Sequence, residues 1–310
     1  MQNTPIGIID RINGVMYGVA VGDALGGPLE FMNADEIKGS LGTVRDMIGG
    51  GWLSLHPGEV TDDTQMTIAV AQGIVDAPDN PIEAIGKRFI AWYKSDPKDI
   101  GNICAHSIYL AMSSDPKCPT AEQWYDAAYT AHEENGGRSA GNGSLMRTAY
   151  PALYYPNALT ASSIACSISR MTHYDARATH ACNVYTGILS RLIPEDDLIT
   201  RRRVIEHKAI AYGYGDAVYS SFDPEPSGFV RDSFAAALYC IASTDTFEDA
   251  IVKAVNLGGD ADTIGAITGG LAGALYGCSR IPLCWLDALE PDTSAQLDYL
   301  CQKAVMRWEN

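Results

Sequence analysis

Two short segments of the sequence combine acids and hydroxyl groups at the start of an apolar stretch. Residues 61–64 read TDDT, and residues 260–263 read DADT. One side-chain oxygen in each segment could cap a following helix, with the acids facing the positive end of the helix dipole. A cap uses one oxygen, whereas each segment offers five or more. The surplus indicates a second role for these oxygens.

Metal binding would use the surplus, because hard divalent cations take oxygen-only ligand sets of about six atoms. If the two segments meet in the fold, their four aspartates repel one another unless cations lie between them. Such a site would hold two metal ions about 3.5–4 Å apart, an arrangement that activates a bridging water. The sequence does not show that the segments meet, so two separate helix caps remain the alternative.

Three acids elsewhere are further candidates. Glu30 follows a Gly-Gly-Pro break, and Asp99 precedes an apolar stretch, so each could also be an ordinary turn or cap residue. Asp23 differs, because it is a charge within a stretch of small and apolar residues. We expect Asp23 to be buried and paired, although the sequence does not identify its partner.

The elements that position these acids have a helical period. Apolar residues at spacings of three and four predict a first helix over residues 8–25. The same pattern, with Ser, Thr, Asp and Pro as start signals, predicts further helices at 67–75, 82–93, 103–112, 121–131, 160–170, 176–192, 229–242, 247–255 and 264–277. Few segments alternate in the manner of strands. The prediction is a compact all-α fold in a single domain over residues 1–310.

Four glycines recur at steps of four along the last of these apolar helices: Gly265, Gly269, Gly273 and Gly277. Residues at this spacing lie on one helix face. Each glycine costs about 1 kcal/mol relative to alanine in a helix. We therefore expect a neighbouring backbone to pack closely against this face.

The composition limits the possible partners. The chain has 22 basic and 38 acidic residues, for a net charge of −16, which argues against nucleic acid as the main partner. A phosphate-bearing substrate would then need metal ions or backbone N–H groups to supply positive potential. The run Arg201-Arg202-Arg203 is interpreted as a solvated helix start.

Cysteine usage and hydropathy predict a cytoplasmic protein. The eight cysteines include no CxxC pair and are expected to be free thiols in a reducing compartment. No basic segment followed by an apolar stretch opens the sequence. The longest uncharged apolar run, residues 264–278, is too short and too rich in glycine to span a bilayer.

Six blocks of sequence resemble, in order, the motifs of the ADP-ribosylglycohydrolases, the superfamily of dinitrogenase reductase-activating glycohydrolase and the ADP-ribosyl-acceptor hydrolases. The blocks are GVAVGDALGGPLEF (18–31), PGEVTDDTQM (57–66), DIGN (99–102), GNGSLMR (141–147), MTH (171–173) and VNLGGDADTIGAITGGLAGALYG (255–277). The resemblance implies an all-α fold with two Mg²⁺ or Mn²⁺ ions in a cleft. It also implies hydrolysis of the bond between ribose C1″ of ADP-ribose and a protein side chain. Ile103 departs from the hydroxyl residue expected there in many members, which affects the acceptor side of the site.

Roles follow from the resemblance, residue by residue. The implied metal ligands are Thr61, Asp62, Asp63, Asp260, Asp262 and Thr263, with Asp262 bridging the two ions. Asp62 also counts among the catalytic residues, beside Glu30, which would contact the metals or the substrate, and Asp99, which would transfer a proton at the scissile ribose.

The implied substrate contacts lie elsewhere in the chain. The segment Gly141, Asn142, Gly143 and Ser144, before a helix expected to begin at residues 145–147, would cradle the diphosphate with backbone N–H groups. His173 would line the same cleft. Tyr212 or Tyr214, in a Gly-Tyr-Gly loop, is a candidate for stacking on adenine, and an exposed loop tyrosine is the alternative.

The predicted function is removal of ADP-ribose from an ADP-ribosylated protein, with arginine as the expected linkage and free ADP-ribose as the product. Three alternatives stay open. They are hydrolysis of serine-linked or other O- and N-linked ADP-ribose, non-catalytic binding of ADP-ribose, and cleavage of the diphosphate by a metal phosphohydrolase.

Overall fold

The computed structural model describes residues 6–309, and their regular structure is helical. The α-helices are Ile6–Gly26 (α1), Ala34–Ser40 (α2), Asp62–Asp76 (α3), Ile82–Lys94 (α4), Asn102–Ser114 (α5), Ala121–Glu134 (α6), Tyr150–Tyr154 (α7), Ala158–Arg170 (α8), Ala176–Leu192 (α9), Leu198–Ala211 (α10), Val230–Ala242 (α11), Phe247–Val255 (α12), Ala261–Tyr276 (α13), Leu283–Ala288 (α14) and Pro291–Val305 (α15). Short 3₁₀ helices span Gly27–Leu29, Asn142–Ser144, Gly215–Val218 and Cys278–Arg280. Within the described range, extended pairing is limited to isolated bridges. The all-α prediction is confirmed.

Helices α1 and α13 pack against each other at the centre of the molecule. Every residue of α13 from Ala261 to Leu275 is buried. The two helices run antiparallel with glycine facing glycine. A Cβ atom built on Gly18 would lie 2.2 Å from the carbonyl oxygen of Gly269, and one built on Gly269 would lie 1.9 Å from that of Gly18. Only glycine permits this approach, because real Cβ contacts are never so short.

The glycine stripe on α13 therefore has its partner on α1, which the sequence analysis did not identify. Gly14 and Gly22 on α1 face Gly273 and Gly265 in the same way. Gly277 differs from the other members of the stripe, because it follows the end of α13 and has a positive φ of 91°. The contact brings the C-terminal end of α1 against the N-terminal end of α13.

Most predicted helices form within a few residues of the expected bounds, but the tri-arginine interpretation is wrong for Arg201. Helix α10 begins at Leu198, where the side chain of Asp197 caps it. Arg201 is thus inside the helix, where it is buried and donates a 2.8 Å hydrogen bond to the carbonyl of Glu195. A carbonyl partner lets the guanidinium point inward, which charge patterning does not reveal.

Three other features of the chain bear on the predictions. All eight cysteines are free, as expected. Over residues 6–309, no helix combines the length and apolar character needed to cross a bilayer. Helices α2, α7, α14 and α15 were not predicted, and α15 nevertheless buries Leu297 and Leu300 at helical spacing.

The interface between α1 and α13 predicts a large loss of stability for Gly18→Ala. The new methyl group would meet backbone rather than a movable side chain, so we expect the free energy of unfolding in urea to fall by about 3 kcal/mol or more. Gly39→Ala, in α2, is the matched control because a Cβ there meets nothing within 4 Å. Its expected effect is neutral or stabilising by about 1 kcal/mol. Equal stability of the two variants would contradict this packing.

Candidate active site

The carboxylate of Asp23 on α1 organises the start of α3. It accepts hydrogen bonds from the backbone N–H groups of Thr61 and Thr64, both to Oδ atoms at about 3.0 Å, and from both threonine hydroxyls. Thr61 occupies the N-cap position of α3 without forming a side-chain cap. The oxygens that cap α3 therefore come from Asp23, and the partners of Asp23 are Thr61 and Thr64. The carboxylates of Asp62 and Asp63 are not needed as caps.

The two acid-rich segments meet. The hydroxyl of Thr263 donates to Oδ2 of Asp63 at 3.3 Å, and that of Thr61 reaches the same oxygen at 3.4 Å. Carboxylate oxygens of Glu30, Asp260 and Asp262 lie within 4.8 Å of one another. The interpretation as two separate helix caps is therefore wrong, because the N-terminal ends of α3 and α13 form one acidic cluster.

The acidic cluster concentrates negative charge in a buried place. Burial, followed by the neighbouring acids, raises the pKa values of Asp62, Asp63 and Asp262 well above their ordinary value. Burial also raises the pKa of Glu30 to about 7, although the hydrogen bond from Trp52 opposes the shift. Among the described residues, no ion pair joins a basic side chain to an acid of the cluster.

The donor set fits a divalent cation. It consists of carboxylate and hydroxyl oxygens, which Mg²⁺ and Mn²⁺ prefer. Oδ1 of Asp63 is buried and has no hydrogen-bond partner, a costly state for a charged group. A cation would give this oxygen a partner and would offset the repulsion within the cluster.

A cavity of about 600 Å³ opens beside the acidic cluster. The cavity is lined by most of the candidate site residues: Glu30, Asp62, Asp99, Gly141, Asn142, Gly143, His173, Asp260, Asp262 and Thr263. Thr61 and Asp63 are buried next to these residues and contact the cluster through the hydrogen bonds described above. The structure therefore brings residues from all six sequence blocks together around one cavity.

Ser144 and Tyr212 are not among the residues that line the cavity. Ser144 is buried, with its hydroxyl 3.0 Å from that of Ser169. The ring of Tyr212 lies against His180 at 6.0 Å, because the loop that carries it packs on α9. The cavity wall thus offers no support for these two substrate contacts.

The Gly141–Ser144 loop also differs from the expectation. The helix predicted to begin at residues 145–147 does not form, and a single 3₁₀ turn, Asn142–Ser144, is followed by turn residues. The amide of Asn142 donates to Oδ2 of Asp260 at 2.8 Å and to Ser233 at 2.9 Å. Asn142 therefore ties the loop to the acidic cluster in addition to lining the cavity.

Several cavity residues were missed by the sequence analysis. The indole of Trp52 donates to Glu30 at 2.6 Å, and its ring lies 5.4 Å from that of Phe31. Both aromatic residues are exposed at the cavity. Arg138 is the one arginine or lysine in the cavity wall formed by the described residues. An aromatic residue after three consecutive glycines, as at Trp52, was the available signal for an exposed functional loop.

Comparisons with known proteins identify ADP-ribosylglycohydrolases as relatives of this chain. The family model described as ADP-ribosylglycohydrolase matches residues 4–310. The chain is 34% identical over 284 residues to the ADP-ribosyl-[dinitrogen reductase] glycohydrolase of Rhodospirillum rubrum, covering 91% of this chain and 90% of that protein. It is 31% identical over 294 residues to the ADP-ribosylarginine hydrolase Tri1 of Serratia proteamaculans, covering 91% and 75%.

A solved structure is similar over nearly its whole length. It is described as an ADP-ribosylglycohydrolase-related protein complex and superposes with a TM-score of 0.77 at 30% identity. The match covers 96% of this chain and 99% of that chain. The similarity therefore extends to the arrangement of the helices that carry the cavity.

The crowded acids predict that Mg²⁺ or Mn²⁺ raises the melting temperature measured by calorimetry. A cation at a hundred times its dissociation constant would stabilise the fold by about 2.7 kcal/mol. Asp262→Asn should be at least as stable as the unaltered chain in EDTA, because one like charge is removed, and should lose most of the response to metal. Asp126→Asn, exposed on α6, should keep the full response. If Asp262→Asn leaves the metal-induced rise in melting temperature unchanged, the cation binds elsewhere.

Proposed function

The chain belongs to the ADP-ribosylglycohydrolase family, and from this membership we propose that it is a metal-dependent hydrolase that releases ADP-ribose from modified arginine side chains of proteins. The observation that carries the proposal is the meeting of the two acid-rich segments beside a cavity of about 600 Å³. The similarity to an ADP-ribosylarginine hydrolase supports the linkage. The cytoplasmic location remains a prediction.

In the proposed site, the metal ligands are Thr61, Asp62, Asp63, Asp260, Asp262 and Thr263. When bound, two Mg²⁺ or Mn²⁺ ions would polarise a water molecule and the ribose hydroxyls. The protein's own part is to hold these oxygens in place. Asp23 does so by fixing the start of α3, and the hydrogen bond between Thr263 and Asp63 joins α3 to α13.

Asp99 is the proposed proton donor to the leaving group. Burial raises its pKa, with a further contribution from the charge of Asp260, and the backbone N–H of Ile100 opposes the shift. A raised pKa keeps a carboxyl group protonated closer to neutral pH, which suits a general acid. In this role Asp99 would protonate the departing guanidine nitrogen as its bond to C1″ breaks.

The cavity wall favours a cationic acceptor over a neutral one. Glu30 can accept hydrogen bonds from a guanidinium, while the exposed rings of Phe31 and Trp52 offer faces on which the guanidinium can stack. Serine-linked ADP-ribose would gain neither interaction. Arginine is therefore the preferred acceptor among the alternatives left open by the sequence.

The ADP-ribose part of the substrate would lie along the wall formed by Gly141, Gly143 and His173. Burial and the charge of Arg147 lower the pKa of His173 to about 3, and Asp175 partly opposes this, so the imidazole is neutral at physiological pH. Neutral polar groups and backbone N–H groups can bind the diphosphate without adding a buried charge. Arg138, in the same wall, adds positive potential.

The activity test compares peptides carrying ADP-ribosylarginine and ADP-ribosylserine, each with Mg²⁺ or Mn²⁺, and identifies the products by mass spectrometry. We expect release of free ADP-ribose from the arginine-linked peptide. Faster release from the serine-linked peptide would overturn the acceptor assignment. AMP and ribose phosphate as products would indicate a phosphohydrolase, and tight ADP-ribose binding without turnover would indicate a non-catalytic binder.

Substitutions separate metal binding from substrate binding. Asp62→Ala and Asp262→Ala should abolish turnover and lower the metal content measured by elemental analysis. His173→Ala should raise KM and leave the metal content unchanged. Full activity and full metal content in both aspartate variants would refute the ligand assignment.

Asp99→Asn tests the proton donor. It should lower kcat by about 10²–10⁴-fold, because an amide cannot donate a proton to the leaving group, while metal content and KM change little. Asp96→Asn is the matched control, since this acid lies three residues earlier, is exposed, and has a positive φ of 58° that asparagine tolerates. A kcat of Asp99→Asn equal to that of Asp96→Asn would exclude the role.

A further inference from the structure

Arg147 is a fully buried arginine whose charge is not paired with a carboxylate in any ion pair among residues 6–309. Its guanidinium lies 4.6 Å from the centre of the Phe89 ring and contacts the sulfur atoms of Met66 and Cys104. Its shortest polar contact is a 2.6 Å hydrogen bond to the hydroxyl of Thr172, and it also donates to the carbonyl of Ile168 at 3.4 Å. A buried charge with so few polar partners is costly, which calls for a functional explanation.

A second hydrogen bond joins Thr172 to His173, which lines the cavity. Oγ1 of Thr172 lies 2.8 Å from Nδ1 of His173. A guanidinium can only donate hydrogen bonds, so the hydroxyl oxygen accepts from Arg147. The single hydroxyl proton is then available for Nδ1 of His173, which accepts it. A neutral imidazole with an acceptor at Nδ1 carries its own proton on Nε2.

Nε2 of His173 faces the loop that lines the cavity. A Cβ built on Gly141 would lie 3.4 Å from this nitrogen, and one built on Gly143 would lie 3.5 Å from it. His173 itself belongs to the cavity wall. The proton on Nε2 would therefore be directed at whatever occupies the space beside Gly141 and Gly143.

We propose that Arg147 is a positioning residue that acts through Thr172 to hold His173 as the neutral tautomer with its proton on Nε2. The imidazole then presents a hydrogen-bond donor to the cavity at all times. The buried cation beside it disfavours the imidazolium form, so His173 is a fixed donor and not a proton shuttle.

The charged groups around His173 are consistent with a neutral ring. Arg147 faces it from the interior, and Asp175 is the nearby acid. Asp175 is itself engaged by the guanidinium of Arg177 through contacts of 2.7 and 3.0 Å, so its charge is shared with another partner. Cys104 is the nearby thiol, and burial raises its pKa, so it is neutral as well.

The consequence for the substrate rests on the proposed function. A donor at Nε2 would bind an anionic oxygen of the diphosphate, whereas the opposite tautomer would present a lone pair and repel it. The arrangement also excludes His173 from proton transfer. His173 would thus affect binding of ADP-ribose and not the bond-breaking step.

The tautomer can be measured without any substrate. In the full-length, Mg²⁺-loaded protein with ¹⁵N-labelled histidine, long-range proton–nitrogen NMR spectra distinguish a protonated ring nitrogen from a bare one. The His173 signal is identified by its loss in His173→Gln. We expect a protonated Nε2 and a bare Nδ1, unchanged from pH 8 to pH 5. A proton on Nδ1, as would follow if Thr172 donated instead to Cys104, or titration within this range would overturn the proposal.

Two substitutions test whether the link through Thr172 is responsible. Thr172→Val removes the hydroxyl at nearly constant volume, so the two nitrogen signals should move toward each other as both tautomers become populated. The dissociation constant of ADP-ribose, measured by calorimetry, should rise about tenfold, the effect of one hydrogen bond to a charged group. Thr172→Ser keeps the hydroxyl and should retain both the spectrum and the affinity. If the valine variant does not fold, Thr172→Ala serves in its place.

The outcomes separate this proposal from the proposed function. An unchanged tautomer in a folded variant without the hydroxyl would overturn the positioning role, whatever the enzyme hydrolyses. Loss of the fixed tautomer with unchanged ADP-ribose affinity would refute the donor role of His173. A protein that hydrolyses neither linked peptide but shows the fixed tautomer would contradict the proposed function and leave the positioning role supported.

Discussion

The close approach of α1 and α13 sets the geometry of the whole site. Glycines on both helices let the backbones touch, and this contact places the C-terminal end of α1 beside the N-terminal end of α13. Asp23 on α1 then caps α3, so the start of α3 lies beside the start of α13. The acid-rich segments lie together because these contacts fix the positions of α1, α3 and α13 relative to one another.

This arrangement works against stability in the absence of a cation. Buried acids raise one another's pKa values, and one oxygen of Asp63 has no partner. Such groups persist when the surrounding structure holds them in place, which is common at functional sites. The central glycine contact and the hydrogen bonds of Asp23 provide that support. The helices around the proposed metal site are therefore held in place by contacts that involve no cation.

Local signals in the sequence predicted the helices and the two acid-rich segments, because periodicity and cap residues act within a few positions. Contacts between distant residues were less accessible. Asp23 was expected to be buried, but its partners in the start of α3 depend on how α1 crosses that helix. The inward orientation of Arg201, the packing of Tyr212 on His180 and the link from Arg147 to His173 also depend on tertiary contacts. Family motifs located most of the cavity wall, but they did not distinguish a residue that touches the cavity from one buried behind it, such as Ser144.

Helix starts some two hundred positions apart in the chain meet in one acidic cluster, which we propose holds a pair of metal ions. Electron paramagnetic resonance of the protein titrated with Mn²⁺ tests it directly, because two ions that share a bridging ligand couple magnetically. A dinuclear site predicts a coupled spectrum that saturates at two ions per chain. Two independent single-ion signals, or no binding above that of an exposed acidic surface, would contradict it.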